Sequence, residues 1–293
     1  MKAPIFTYRR PDDLDGALAL LADHAGEAQV LAGGQSLMPT LNMRLSSPGM
    51  LVDINRIAML RGIADRGDSI RVGALVRHAE VAESSLMAAR IPLIALAMPH
   101  VAHMAVRNRG TTCGSLALAD PSAEMPAVAV TLDARIVLNK RGATRTVSAR
   151  AFFQGLYQTG RDDDEMITEV LFPVARENEI FGFAELSRRH GDFATVGVAV
   201  RARHIAGVLD DLSVVFFGSE PTPLLSPGAR DIVIPVDSTD IVLTDAAHAM
   251  TADMEPMDNQ QGRGETKRKQ AAVLLQRTLR DMLGRTRVRS SDA

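Results

Sequence analysis

The feature that most constrains this chain is a pair of glycine-rich turns, each beside an apolar segment. The first turn is AGGQS at 32–36, directly after the apolar segment AQVL, and the second is GTTCGS at 110–115. Glycine leaves backbone N–H groups without side-chain cover, so such turns can bind phosphate oxygens. Taken alone, each is typical of an ordinary structural turn. Neither matches the dinucleotide fingerprint GxGxxG or the P-loop, and the sequence therefore does not predict a Rossmann domain or an NTPase.

The composition is that of a globular protein without an evident affinity for nucleic acid. A length of 293 residues allows one large domain or two to three smaller ones, and a hydrophobic fraction of 46% supplies their cores. A net charge of −2 gives no overall attraction to nucleic acid or to an anionic membrane. The sequence shows no apolar run of the roughly 18 residues that a membrane span needs, and no apolar region of a secretory signal. It therefore predicts a cytoplasmic protein.

The chain has a single cysteine, Cys113. One thiol cannot form an intramolecular disulfide, and an iron–sulfur cluster takes about four thiolates. Any metal–sulfur chemistry must therefore come from another chain.

Apolar periodicity divides the chain into three segments. The first predicts a strand, an amphipathic helix and a second strand that ends at the double glycine. The second begins with a predicted hairpin, and its stretch 78–101 is helical in period but broken by Pro92 and Pro99, which predicts two short helices. The third is rich in strand-forming residues and turns helical from about residue 245. The predicted domains are 1–55, 56–176 and 177–293.

The order of motifs along the chain is more specific than either turn. The motifs are, in order, AGGQSLMP, RNRGTTCGSLALADPSAEMPAVAVTLDA, FFQGLYQTGRDDDEMITEVLFP, RRHGDFATVGVAV and KRKQAAVLLQRTL. In this order the whole chain resembles the FAD-binding medium subunit of the molybdenum hydroxylases, the relatives of xanthine dehydrogenase and carbon monoxide dehydrogenase. The resemblance implies an α+β fold, with a two-lobed FAD-binding domain of the vanillyl-alcohol-oxidase (PCMH-type) architecture and a C-terminal sheet-and-helix domain.

The resemblance also implies which residues hold the cofactor. The two turns would wrap the FAD pyrophosphate, an acid in ALADP would accept a hydrogen bond from the ribose or adenine, and LFP and the aromatic residue of GDF would lie near the flavin ring. It implies no catalytic acid or base and no metal ligand in this chain. The implied FAD-binding residues are Ala32, Gly33, Gly34, Gln35, Ser36, Leu37, Thr111, Gly114, Ser115, Asp120, Leu171 and Phe193.

In the family that this chain resembles, a large molybdenum subunit hydroxylates the substrate. Electrons then pass through two [2Fe–2S] clusters of a small subunit to FAD on the medium subunit and on to an external acceptor. The resemblance implies these two partners, a dimer of heterotrimers, and [2Fe–2S] and molybdopterin cofactors only on the partner chains. Two alternatives stay open, a stand-alone FAD-dependent oxidase of the vanillyl-alcohol-oxidase architecture and a non-enzymatic nucleotide-binding module. The substrate and the electron acceptor are open as well.

One position departs from the family pattern, which commonly has glycine where Cys113 stands. We expect ordinary backbone angles there and a small buried side chain. His100 and His103 have a metal-like HxxH spacing, but a structural or surface role is favoured because no Cys or Glu cluster completes a site. The acidic run 161–166 is interpreted as a solvated turn, and the arginines of 107–109 and 188–189 as candidates for contact with phosphate or a partner.

Overall fold

The computed structural model describes residues 2–291, with side chains up to Arg285. Within that range three β-sheets follow one another along the chain, together with one two-stranded ribbon. The molecule is an α+β protein, as predicted, because the first sheet is parallel while the other two are antiparallel.

The first sheet is three-stranded, with the strand order β1-β3-β2. Both neighbouring pairs are parallel, and Leu31 at the end of β2 lies opposite Asp53 at the end of β3. Parallel strands need crossover connections, which the two helices supply. Asp13 caps the first helix by accepting from the backbone N–H of Gly16 at 2.7 Å. The elements are β1 (Thr7–Arg9), α1 (Leu14–Asp23), β2 (Ala28–Leu31), α2 (Leu37–Asn42) and β3 (Met50–Asp53).

The second sheet is five-stranded and antiparallel, with the order β4-β5-β10-β6-β7. Six helices lie between its second and third strands along the chain, and they include the segment that carries the second glycine-rich turn. The elements are β4 (Ile63–Asp65), β5 (Ser69–Gly73), α3 (His78–Glu83), α4 (Ser85–Arg90), α5 (Pro92–Ala97), α6 (Met104–Arg107), α7 (Thr112–Leu118), α8 (Glu124–Leu132), β6 (Arg135–Lys140), β7 (Ala143–Ser148), α9 (Ala149–Phe152), β8 (Phe153–Gly155), β9 (Gln158–Thr159) and β10 (Met166–Pro173).

The third sheet is antiparallel and is covered on one face by the two last helices. Strands β12 and β13 form its long central hairpin. The elements are β11 (Glu179–Leu186), β12 (Val196–Ile205), β13 (Val208–Phe217), β14 (Leu224–Leu225), β15 (Ile234–Pro235), α10 (Asp240–Met250) and α11 (Gly264–Ser291). Among the residues described, no helix is long and apolar enough to cross a membrane.

The prediction of two short helices over 78–101 is wrong, since three helices occupy it. Ser84 ends α3 in an extended conformation, and its side chain caps α4 by accepting from the N–H of Met87 at 3.2 Å. Ile91 ends α4 just before Pro92, where α5 begins. A serine that both stops one helix and starts the next leaves the hydrophobic period intact, so periodicity alone could not show the break.

Two hydrophobic cores hold the elements together. The larger joins the first sheet, the second sheet and the helices α1, α3, α4, α5, α7 and α8, and it reaches into the third sheet at residues that include Phe181 and Phe217. The smaller fills the space between the third sheet and helices α10 and α11. All nine residues of α8 are buried, which places this helix at the centre of the molecule. The larger core includes Cys113 of the second glycine-rich turn, and Ala32 of the first turn packs against it.

Candidate functional site

A cleft of about 870 Å³ opens where the first sheet, the second sheet and the loop after β11 meet. Its size is within the usual range of ligand sites, about 300–1,000 Å³. Eleven of the twelve residues proposed from the sequence line this one cleft, although they come from all three segments of the chain. They are Ala32, Gly33, Gly34, Gln35, Ser36, Leu37, Thr111, Gly114, Ser115, Asp120 and Phe193.

Leu171 is the one proposed residue that does not line the cleft. It lies near the far end of β10, paired with Arg71 on one side and Arg135 on the other. Strand β10 reaches the cleft at its first residues, Met166 and Ile167, instead. Each strand residue advances the chain by about 3.3 Å, so Leu171 is well removed from that edge.

The first turn offers three consecutive backbone donors to the cleft. In residues 2–291 the N–H groups of Gly34, Gln35 and Ser36 donate to no other protein atom. Gly34 has a φ of +71°, a conformation that favours glycine. The Gln35 side chain folds back to donate to the carbonyl of Gly33 at 3.3 Å, which tightens the turn. Uncommitted amides of this kind fit the oxygens of a phosphate.

The second turn is the beginning of a helix rather than a free loop. Thr111 caps α7 by accepting from the N–H of Gly114 at 3.0 Å. A Cβ on Gly114 would lie 2.7 Å from that same Thr111 oxygen, so the close cap requires glycine. The side chain of Thr111 is thereby fixed at the wall of the cleft, next to Ser115.

Cys113 has the ordinary backbone angles and the burial that the sequence analysis expects. It lies inside α7 with 2% of its surface exposed, and its φ is not positive. Burial raises the pKa of its thiol to about 12. The thiol is therefore protonated at neutral pH, and a protonated buried thiol is chemically inert.

The two turns are in direct contact, although one follows strand β2 of the first sheet and the other begins helix α7. A Cβ added to Gly33 would lie 2.5 Å from the carbonyl oxygen of Arg109 and 2.9 Å from the Cα of Gly110. Only glycine fits such an approach. The two candidate sets of phosphate-binding groups consequently line the same part of the cleft.

Two buried carboxyl groups line the wall beyond the second turn. Asp120 accepts from the N–H of Ser122 at 2.9 Å and from the Tyr157 hydroxyl at 3.3 Å, and burial raises its pKa. Glu124 begins α8, and burial, helped by the charge of Glu185, raises its pKa to about 7. The sequence analysis missed Glu124. The available signal was an acid at the start of a helix whose other residues are apolar or small.

The cleft extends to the acidic run 161–166, which was interpreted as solvated. That interpretation is wrong for Glu165, whose side chain is 1% exposed and lines the cleft. Arg145 donates to both of its carboxylate oxygens, at 2.7 and 2.6 Å, and this pairing lowers the pKa of Glu165. Arg161 also lines this end, so a cation faces the cleft there.

The opposite end of the cleft is open and carries an exposed aromatic ring. Phe193 is 55% exposed on the loop between β11 and β12. In the same loop Arg188 donates to the carbonyl of Gln260 at 2.9 Å, which joins this rim to the loop before α11. Gly191, with a φ of +83°, packs against His103. The rim is thus formed by both the helical region and the third sheet.

The HxxH pair does not form a metal site. His100 pairs with Glu185 at 3.3 Å, which raises the pKa of the histidine, while His103 lines the rim of the cleft. No cluster of three or more His, Cys, Asp or Glu side chains suited to a metal ion occurs in the part of the chain that the structure describes. Of the arginines singled out, Arg107 donates to the backbone of Val101 and Ala102, which makes it structural.

Comparison with known proteins finds relatives along nearly the whole chain. Residues 4–175 match the model of the FAD-binding domain in molybdopterin dehydrogenase, and residues 181–282 match the carbon monoxide dehydrogenase flavoprotein C-terminal domain. The chain is 44% identical to the caffeine dehydrogenase subunit beta of Pseudomonas sp. (strain CBB1) over 68% of each chain. It is 33% identical to the carbon monoxide dehydrogenase medium chain of Hydrogenophaga pseudoflava, covering 95% of this chain and 97% of the other. A solved structure of that organism's carbon monoxide dehydrogenase superposes with a TM-score of 0.93 at 33% identity, covering 97% of this chain and 99% of the solved chain.

Proposed function

Because this chain belongs to the family of FAD-binding subunits of the molybdopterin dehydrogenases, we propose that it holds FAD in the cleft and serves as the electron-transfer subunit of a molybdenum hydroxylase complex. One observation carries the proposal. Two glycine-rich turns, one at the end of strand β2 and one at the start of helix α7, touch each other and line a single cleft, and the first of them presents uncommitted amides. Two facing sets of donors suit a diphosphate, which has oxygens on both phosphorus atoms.

The residues of the cleft then have distinct tasks. Gly34, Gln35 and Ser36 would donate backbone hydrogen bonds to the pyrophosphate, and the hydroxyls of Thr111 and Ser115 would add donors from the other side. Asp120 and Glu124 would bind hydroxyl or amine groups of the cofactor along the buried wall. The exposed ring of Phe193 would lie at the flavin end, where it controls access. When bound, FAD supplies chemistry that accepts electrons singly or in pairs.

The other redox centres belong, in this proposal, to partner chains. A single buried cysteine cannot ligate a [2Fe–2S] cluster, and the described residues contain no group suited to a metal. We therefore infer a small iron–sulfur subunit and a large molybdenum subunit, arranged as a dimer of heterotrimers. The substrate would be bound by the large subunit. A cytoplasmic location, predicted from the sequence, stays a prediction.

The division into domains 1–55, 56–176 and 177–293 is also part of the proposal. Each range contains one of the three sheets, which supports it. The larger core crosses the boundary near residue 55, so the first two ranges would behave as one FAD-binding unit with two lobes.

The visible absorbance spectrum tests the function. The full chain, expressed alone and incubated with FAD, is expected to retain flavin after gel filtration. When it is purified with its partners, iron–sulfur absorbance should accompany the flavin bands. Retained flavin that a small substrate reduces without any partner would favour the stand-alone oxidase. A chain that retains no flavin in either preparation would contradict the proposal.

A further inference from the structure

The two glycine-rich turns are also joined by side chains that lie outside the main cleft. Asn55 Nδ2 donates to the carbonyl of Ala32 in the first turn at 2.9 Å. Arg77 Nη2 donates to Asn55 Oδ1 at 2.6 Å, and Arg77 Nη1 donates to the carbonyl of Arg109, directly before the second turn. A continuous path of hydrogen bonds therefore runs from one turn to the other through two side chains.

The first half of this path is anchored in the first sheet. Asp53, at the end of β3, accepts from both the backbone N–H and the Nδ2 of Asn55, at 2.9 and 2.7 Å. The Tyr8 hydroxyl of the neighbouring strand β1 donates to the other oxygen of Asp53. Burial opposes the charge of Asp53, but these hydrogen bonds prevail and lower its pKa. The amide of Asn55 thus has its orientation fixed by a buried carboxylate.

The second half is anchored beside the second turn. The backbone of Arg77 forms an antiparallel bridge with Thr111, and its N–H donates to Glu80 at the start of α3. Neither Arg77 nor Asn55 lines the main cleft. Asn55 and Arg109 line a second cleft of about 400 Å³ that also borders the first turn. The path therefore supports the turns without contacting a ligand in the main cleft.

Positive charge is concentrated around the path. The pKa of Arg77 is lowered, chiefly by burial and then by the charges of Arg109 and Arg61. The three guanidinium groups outnumber the carboxylates of Glu80 and Asp53, whose charges raise the pKa of Arg77, and a net positive potential beside the amides favours a dianionic diphosphate. Charge and hydrogen bonding are thus both available as roles for Arg77, and an experiment must separate them.

We propose that Asn55 and Arg77 are positioning residues that fix the separation of the two glycine-rich turns, so that both turns bind the same diphosphate. This inference rests on the proposed function, since it assumes that the cleft binds FAD. It predicts that the two substitutions affect diphosphate ligands more than monophosphate ligands. A diphosphate that contacts both turns depends on their separation, whereas a monophosphate that contacts one turn does not.

The experiment measures dissociation constants of the full chain for FAD, ADP and AMP by titration calorimetry. Asn55→Ala and Arg77→Lys are expected to weaken the binding of FAD and ADP about 10- to 100-fold, because each change breaks the partly buried path of hydrogen bonds that joins the two turns. The dissociation constant for AMP should rise by less than about threefold. Lysine keeps the charge of Arg77 but cannot reach both acceptors as the guanidinium fork does. Full retention of FAD and ADP affinity in Arg77→Lys would therefore overturn the positioning role.

Arg56→Gln is the matched control, since Arg56 follows Asn55 in sequence, is exposed and forms an ion pair with the exposed Asp12 rather than a bond to either turn. Its dissociation constants should stay within about twofold of the wild type. The double variant Asn55→Ala/Arg77→Lys should be no weaker than the poorer single variant, because both changes break one path. Additive losses, or equal losses for ADP and AMP, would overturn the inference.

The outcomes separate the inference from the proposed function. A wild-type chain that binds no FAD contradicts the function itself. A wild-type chain that binds FAD, with variants that behave like Arg56→Gln, leaves the function intact and overturns the inference alone. Circular dichroism of each apoprotein shows whether it is folded, and if one single variant does not fold, the other decides the question.

Discussion

At the scale of single residues, Glu124 has the least ordinary environment among the acids of the cleft. It is 6% exposed, and its pKa is raised to about 7. The groups that face it are Glu185 and Asp120, which raise the pKa, and His100, which lowers it. Glu124 consequently changes its protonation close to neutral pH, where an unperturbed glutamate is fully ionised.

Glu124→Gln is expected to stabilise the apoprotein at high pH. Below the pKa that Glu124 has in the unfolded chain, the carboxyl group is neutral in both states, so its burial does not lower the free energy of unfolding through charge. As the pH rises further, the raised pKa of Glu124 lowers the free energy of unfolding by an increasing amount, which reaches about 3 kcal/mol above pH 7. Urea unfolding at pH 5 and pH 8 should show the variant gaining stability over the wild type mainly at pH 8. An equal difference at both pH values would contradict the raised pKa.

At this scale, a site residue could be predicted from the sequence when it belonged to a short motif. Gly33, Gly34 and Thr111 belong to compact motifs, and these were found. Glu124 was missed because its importance comes from burial, which tertiary packing decides. Leu171 was included because the family resemblance implied that LFP lies near the flavin ring, but the cleft is lined by the first residues of β10, whereas LFP forms its last three.

At the scale of elements, the first turn is shaped by its contact with the segment before the second. Gly33 approaches the backbone of Arg109 and Gly110 more closely than any side chain would allow. Because that obstacle is backbone rather than a flexible side chain, the turn itself must move if a Cβ is added. The conformation of each turn therefore depends on the other.

Gly33→Ala should weaken FAD binding about tenfold or more and destabilise the chain by about 1–3 kcal/mol, since the added methyl group is overpacked. Fluorescence titration of FAD and urea unfolding measure the two effects. Gly228→Ala is the control, because a Cβ there meets no atom within 4 Å and its φ is −85°. It should change stability by no more than about 0.5 kcal/mol. Unchanged FAD affinity in Gly33→Ala would contradict the close contact.

Element prediction succeeded where hydrophobic period and turn residues agreed. Helix α1, strand β2 and the hairpin of β4 and β5 lie where the pattern placed them. The start of α7 inside GTTCGS was not predicted, because glycine-rich residues also permit a loop there. In the structure Thr111 caps a helix instead. Local sequence does not distinguish a capped helix from a glycine loop when both use the same residues.

At the scale of the whole molecule, the cleft is built from all three parts of the chain. The first turn, the second turn and the rim loop with Phe193 all line it, and the rim loop connects through Arg188 to the loop before α11. A ligand that fills the cleft therefore contacts every part. The order of the three sheets was predictable from the order of motifs, but their contacts were not, because residues as distant as 33 and 109 meet only in the folded chain.

FAD at about 100 times its dissociation constant should stabilise the chain by about 2.7 kcal/mol, which raises the melting temperature by roughly 5 °C. Differential scanning calorimetry with increasing FAD measures the shift. Riboflavin, which lacks both phosphates, is the control and should give a much smaller shift at the same concentration. Equal shifts for the two ligands would show that the turns do not hold the phosphates.

The contact between Gly33 and Arg109 also bears on which sequence changes the site can accept. The two turns meet through the backbone of residues 109 and 110 and a residue that has no side chain. The contact therefore depends on glycine at position 33 and not on which side chain residue 109 carries.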